Sequence, residues 1–237
     1  MANVALAVAE AALRARKLDR TLTTALPSAV RPNAAATEIA RLDDCLRGGL
    51  PRGQLSEVVG RQSSGRTAAV LHMLAAATRR GEIVALVDTF DRLDVGSAAS
   101  AGLDLDRLLW IRGEASSLFD RVIERGLKAL NLVLQAGGFG LVVFDLADAP
   151  LQALHRIPFT TWLRIQRTIE GSDTVCLLLA PHALARSAEG LTLTCGGRPA
   201  WEGSAARSRR LAGLEMGVRV VSPRRQVDGE VACSARL

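Results

Sequence analysis

Short apolar runs alternate along this chain with stretches where apolar residues recur every three or four positions. Residues 54–59 (QLSEVV) alternate and end on β-branched side chains, which predicts a strand. Over residues 68–78, Val70, Leu71, Leu74 and Ala75 fall at helical spacing, and Arg79, Arg80 and Gly81 close the helix. Residues 83–88 (IVALVD) form an apolar run of buried-strand length, and residues 108–111 a third short strand. Helical periodicity returns over residues 118–135 through Val122, Ile123, Leu127, Leu130 and Leu134, and Gly137-Gly138 ends it. Residues 141–145 (LVVFD) are a strand that ends on a carboxylate. Residues 160–170 predict a helix with Trp162, Ile165 and Ile169 inward and Arg164 and Arg167 outward. Strands follow at residues 174–180 and 191–195. Strands alternating with helices predict an α/β fold: a mostly parallel sheet with helices on both faces.

The two ends read differently. Residues 2–18 predict an alanine-rich helix with Val4, Leu6, Val8, Leu13 and Leu18 along it and Arg14, Arg16 and Lys17 in its last turns. Residues 21–36, with Pro27 and Pro32, read as a linker. Beyond Gly196 the pattern weakens. Residues 218–221 read as an edge strand and the last dozen residues as loose. The expected organisation is an N-terminal helix and linker (1–36), a core (37–197) and a basic C-terminal extension (198–237).

The length of 237 residues suits one α/β domain with extensions and allows a large core. Lys17 and Lys128 are the only lysines, so the arginine excess reflects composition as much as function. Charge placement is more telling: residues 1–36 carry +3, 37–197 carry −1 and 198–237 carry +4. Basic ends suit an acidic partner such as nucleic acid or an acidic protein surface, and equally suit plain solvated termini. Cys45, Cys176, Cys195 and Cys233 show no zinc or redox spacing, which fits reduced thiols in a cytoplasmic protein. No 18-residue apolar run or export signal is evident, so no membrane partner is expected.

The chemistry centres on the turn between the first core strand and its helix. Gly60-Arg61-Gln62-Ser63-Ser64-Gly65-Arg66-Thr67 meets the Walker A pattern GxxxxGK[ST] at every fixed position but one: Arg66 stands at the lysine. In such a turn, backbone N–H groups and the helix N-terminus hold phosphates. A guanidinium is larger, planar and forked, so the exchange is not conservative. Gly60, Ser63, Ser64, Gly65, Arg66 and Thr67 are the candidate cradle of a degenerate nucleotide site, and the bland reading is a turn kept for packing. Asp145, at the carboxyl edge of a later strand, suits the acid that positions magnesium in P-loop enzymes; the plain alternative is a cap or solvated acid, and Asp148 could serve similarly.

These residues resemble RecA. The match runs through Leu42-Asp43, Gly48-Gly49-Leu50-Pro51, Gly53 and Ser63-Ser64-Gly65, then Ala85-Leu86-Val87-Asp88, Leu93-Asp94, Ala101-Gly102-Leu103-Asp104-Leu105 and Leu108-Leu109, and then the strand 141–145. It covers roughly residues 37–195. The resemblance implies a RecA-like P-loop core, and it also marks departures. RecA's catalytic glutamate falls two residues after the strand-ending Asp88, where this chain has Phe90. The tyrosine that packs on the nucleotide base is replaced by Ser97, and the two DNA-binding loops are cut down. A RecA-like core with a decayed ATP site, a basic tail and a short leading helix resembles the ImuA family, as do residues 162–174 and Leu184-Ala185-Arg186-Ser187.

The resemblance implies a non-catalytic accessory role in SOS-induced translesion synthesis and mutagenesis, in the cytoplasm at the nucleoid. The partners it implies are DNA, RecA, ImuB and an error-prone polymerase III α-type subunit. No catalytic residue, no metal site and no required cofactor are expected, with residual ATP and magnesium binding left open. Candidate DNA contacts are Arg156, Arg164, Arg167 and Arg186 around the shortened loops, and Arg207, Arg209, Arg210, Arg224 and Arg225 in the extension. A solvated face is the alternative for the first four. Residues 2–18 are expected to mediate self-association or docking on RecA. Two other functions remain at this level: a SulA-type cell-division inhibitor and an active RecA-like DNA-dependent ATPase.

Overall fold

The computed structural model describes residues 33–114, 118–185, 190–203, 209–222 and 225–236. The expected helix over 2–18 lies outside them, as do Arg186, Arg207 and Arg224.

The end of the expected linker is structured. Strand β1 (Ala34–Ala35) pairs antiparallel with β2 (Leu50–Pro51), and helix α1 (Ala40–Leu46) lies between them. The Asp43 carboxylate accepts hydrogen bonds from the backbone and hydroxyl of Thr37 and from the Glu38 backbone, which fixes the entry to α1. Arg47, Gly48 and Gly49 all have positive φ. A Cβ at Gly49 would overlap the Ala35 carbonyl, so the Gly-Gly pair is what lets β2 approach β1.

The main elements follow as β3 (Leu55–Gly60), α2 (Arg66–Arg79), β4 (Val84–Asp88), α3 (Val95–Ser100), β5 (Leu108–Arg112), α4 (Phe119–Ala136), β6 (Leu141–Asp145), α5 (Leu151–His155), α6 (Phe159–Ile169), β7 (Val175–Ala180), β8 (Thr192–Glu202), β9 (Arg210–Ser222) and β10 (Arg225–Arg236). Among the described residues, eight strands make one sheet in the order β10-β9-β8-β3-β7-β6-β4-β5. All pairings from β8 to β5 are parallel; β8, β9 and β10 are antiparallel.

Side chains alternate between two apolar layers, as the period of a strand requires. Val58, Val84, Leu86, Val143, Leu177 and Leu193 join α1 and α2 on one face. Leu55, Val59, Ala85, Val87, Val142, Phe144 and Leu178 join α4 and α6 on the other. Trp162, Ile165 and Ile169 are buried while Arg164 and Arg167 face outward, as the spacing predicts.

The C-terminal region departs from expectation. Strand β8 does not stop at Cys195 but runs to Glu202, through the boundary expected at 197/198. β9 is not the edge: it pairs with β8 on one side and β10 on the other. The dozen residues expected to be loose form β10. Along β9 the alternation is clear where side chains are described: Met216, Val218 and Val220 are buried, and Arg219 and Val221 are exposed. Gly217 breaks this alternation in the sequence, so the pattern shows only residues 218–221 of a longer half-buried strand.

Candidate nucleotide site and basic surface

β3 to β7, β6 and β4 all run in one direction, so Gly60, Ala180, Asp145 and Asp88 end at a common edge. The chain leaves β3 there and returns at β4, with β7 and β6 between them in the sheet, and a crevice opens at the carboxyl edge. A Cβ at Gly60 would overlap Ser64, so only glycine lets the turn fold back so closely. Ser63 (φ 61°) and Gly65 (φ 85°) are left-handed and carry the chain from the turn into α2. The first N–H groups of α2 have no intrahelical acceptors and point out of its N-terminus.

The cleft beside this turn has a volume of about 660 Å³ and is walled by the turn, by Asp88 and Phe90, and by Asp145 and Asp148. Ser63, Ser64, Gly65, Thr67 and Asp145 line this cleft, and Gly60 packs against Ser64 at its back. Arg66 also lines the cleft, but its guanidinium is engaged by backbone carbonyls. It is buried and donates from Nη1 to the carbonyls of Gly60 and Ala180 (3.4 Å) and from Nη2 to that of Ala147 (2.8 Å). These carbonyls belong to the ends of β3 and β7 and to the turn after β6, so one side chain ties three neighbouring strand ends.

The two strand-ending acids behave differently. Asp88 is buried and both its oxygens are taken: the backbone N–H groups of Arg92 and Leu93 donate at 2.8 Å each, and Trp110 Nε1 at 3.1 Å. It therefore holds the segment that carries Phe90. Asp145 is its register partner on β6. Burial pushes the Asp145 carboxyl up to about 7; the Ala147 N–H bond opposes this, Asp88 and Asp148 reinforce it, and the nearby Arg66 charge opposes it again. Phe90 is 7% exposed and packs edge-to-face on Phe119, with centroids 6.0 Å apart. Ser97 sits on α3, its N–H bonded to the Asp94 carboxylate at 2.8 Å. At the mouth, Arg92 and Asp148 pair at 3.2 Å.

The sequence reading missed Glu57. It is buried in β3 and accepts hydrogen bonds from Leu184 N, Ala185 N and Thr192 Oγ1, which pins the connection after β7. Its place in an alternating strand was the only signal. His155 and His182 come together beside that connection with ring centroids 5.5 Å apart; burial, then His155, holds the His182 imidazole below its ordinary range. Among the described residues no group of three or more His, Cys, Asp or Glu forms a metal site.

The basic candidates fall on two surfaces. Arg156 closes α5 and pairs with Asp120 (2.5 Å), while Arg164 and Arg167 are exposed on α6. On the β8–β9 hairpin, Arg210 pairs with Glu202 (2.8 Å) and Arg209 lies over Trp201 (5.7 Å), which is itself 50% exposed. Arg225 begins β10 and its side chain is not described. Two of the expected cations, Arg156 and Arg210, are therefore already paired, because acids stand opposite them on neighbouring elements.

The family model of the RecA N-terminal domain matches residues 29–153, more than half of the chain. The chain belongs to the RecA family. Among curated relatives it is similar to Protein RecA of Gluconobacter oxydans (strain 621H), 34% identical over 117 residues that make up 49% of this chain and 32% of that protein. It is 28% identical to Protein RecA of Chlorobium chlorochromatii (strain CaD3) over 146 residues, 56% of this chain and 39% of that protein. The chain thus spans well under half the length of these RecA relatives. Among solved structures it is similar to the RadB recombinase, with a TM-score of 0.55 and 19% identity, covering 85% of this chain and 95% of that one. This likeness shows the shared α/β fold and extends it beyond residue 153. Among the described residues no helix is long and apolar enough to cross a membrane.

Proposed function

We propose that this RecA-family chain is a non-hydrolysing accessory protein of the ImuA kind. In this reading it acts in damage-induced translesion synthesis, binds DNA or RecA, and brings ImuB and an error-prone polymerase α subunit to the lesion. The observation that carries the proposal is Phe90. The position where the RecA resemblance implies a water-orienting acid holds an aromatic ring buried against Phe119. A phenyl ring neither accepts a proton nor aligns a water, so the fold is retained without its chemistry. A RecA-type core without hydrolysis is suited to recognition. Exposed Arg164 and Arg167 on α6, and the Arg209–Trp201 pair on the β8–β9 hairpin, supply charge and an aromatic face for a nucleic-acid backbone and bases.

The test is capture of the tagged full chain from DNA-damaged cells, with the co-purified proteins identified. ImuB or a replicative-type polymerase α subunit is the expected partner. A tubulin-like division protein in their place would overturn the reading in favour of a SulA-type inhibitor.

A further inference from the structure

The RecA resemblance implies a magnesium nucleotide in the cleft, and the residues present do not fit one. Three groups would have to serve it: a cation directed at the phosphates, and two strand-ending acids able to face a hydrated metal. Arg66 stands at the cleft but is committed elsewhere, its guanidinium on the carbonyls of Gly60, Ala180 and Ala147. A lysine ammonium is a compact point charge and cannot span acceptors on three strand ends at once; the planar fork of arginine can. Asp88 is held in place by the chain itself: Arg92 N donates to Oδ1, and Leu93 N and Trp110 Nε1 donate to Oδ2. Asp145 accepts from Ala147 N at 2.8 Å, and Ala147 is also the residue whose carbonyl takes Arg66 Nη2. One oxygen of the acid and the guanidinium are thus held by the two sides of one residue. Across the mouth, Arg92 and Asp148 are engaged with each other.

We infer that Arg66 is a resident cation that closes the phosphate site to magnesium nucleotides and braces the carboxyl edge of the sheet in their place. The edge that a ligand would organise in a nucleotide-dependent member of the fold is here organised by the chain's own side chain. To leave, the guanidinium would give up all three carbonyls. Two of those bonds are buried and the third is half-buried, and an unsatisfied buried acceptor is costly. Resting on the accessory reading above, this makes the DNA- or partner-binding surface constitutive: its competence does not wait on nucleotide. The inference goes further than loss of hydrolysis. A chain with Phe90 could still bind ATP and be switched by it; a chain with Arg66 bound in this way is not switched.

The experiment is binding of a fluorescent ATP analogue with magnesium, read by anisotropy, together with thermal melts with and without millimolar Mg·ATP. The full wild-type chain, Arg66→Lys and Arg66→Ala are compared. The wild type is expected to show no saturable binding and no nucleotide-dependent change in Tm. Arg66→Lys, which cannot span the three carbonyls, is expected to bind at least tenfold more tightly than wild type and to gain a melting shift with Mg·ATP. Arg66→Ala is expected to melt lower than wild type, because the brace is gone. Micromolar Mg·ATP binding by the wild type would overturn the inference, and that measurement needs no variant to fold. A folded Arg66→Lys protein that binds no better than wild type would also overturn it. Wild-type binding without turnover would sink this inference and leave the accessory reading standing; the absence of polymerase-type partners would do the reverse.

Discussion

At the residue scale, Arg66, Phe90 and Asp145 set the character of the cleft. The exchanges at Arg66 and Phe90 are legible in the sequence as departures from a pattern. The direction of the Arg66 guanidinium is not, because it depends on β7 and on the turn after β6, which lie far along the chain. Phe90 carries its own prediction. Phe90→Glu places a carboxylate against Phe119 in an apolar layer, so it should lower stability by roughly 3 kcal/mol in a denaturant titration. Arg66→Lys alone should give no ATP turnover, since the ring at position 90 remains. Asp145 carries a pH prediction. Its carboxyl titrates near 7 when folded, above its ordinary value of 3.8, so between those values the folded state binds more protons than the unfolded chain. Stability attached to this group is therefore fully present below about pH 4 and falls as pH rises through 7. Asp145→Asn keeps an acceptor for Ala147 N–H and has no charge to desolvate. It should melt higher than wild type at pH 8, by roughly 1–3 kcal/mol in stability, and lose that advantage by pH 4. Equal pH profiles for the two proteins would show that Asp145 does not titrate as its burial implies.

At the element scale, the parallel half of the sheet was readable because β4, β6 and β7 are near-continuous apolar runs and β3 alternates and ends on β-branched residues. β3, β4, β6 and β7 match their predicted spans to within a residue or two. Elements without such a run were not seen. Helices α1, α3 and α5 are only 7, 6 and 5 residues long, too short to show a helical period. β9 was readable only over residues 218–221 and β10 not at all, because glycines and charged residues of both signs interrupt their alternation. This changes what a truncation means. Removing residues 198–237 cuts β8 in mid-strand and takes away β9, with buried Met216, Val218 and Val220. Each such side chain is worth about 1.5–3 kcal/mol of burial. The shortened chain should lose cooperative melting by circular dichroism and gain sensitivity to proteolysis. A truncated chain that melts like the full one would mean that the antiparallel half contributes little to the fold.

At the scale of the whole molecule, a RecA-family sheet is assembled around a cleft in which Arg66, Asp88 and Asp145 are hydrogen-bonded to the chain's own backbone and Phe90 packs on Phe119, while arginines remain exposed on α6 and on the β8–β9 hairpin. DNA binding should then be electrostatic and only weakly sequence-selective, with log affinity falling linearly in log salt concentration. Arg164→Ala and Arg167→Ala together should weaken binding across all sequences and flatten that slope by about one per lost phosphate contact, with the melting curve unchanged. A slope that stays the same would move the contact to the hairpin, where Arg209→Ala is the next variant. The central claim, that the fold is kept without its chemistry, is tested most directly by steady-state phosphate release from Mg·ATP by the full chain, with and without single-stranded DNA. No release above the protein-free rate is predicted in either condition; DNA-stimulated turnover abolished by a substitution in the Gly60–Thr67 turn would contradict it.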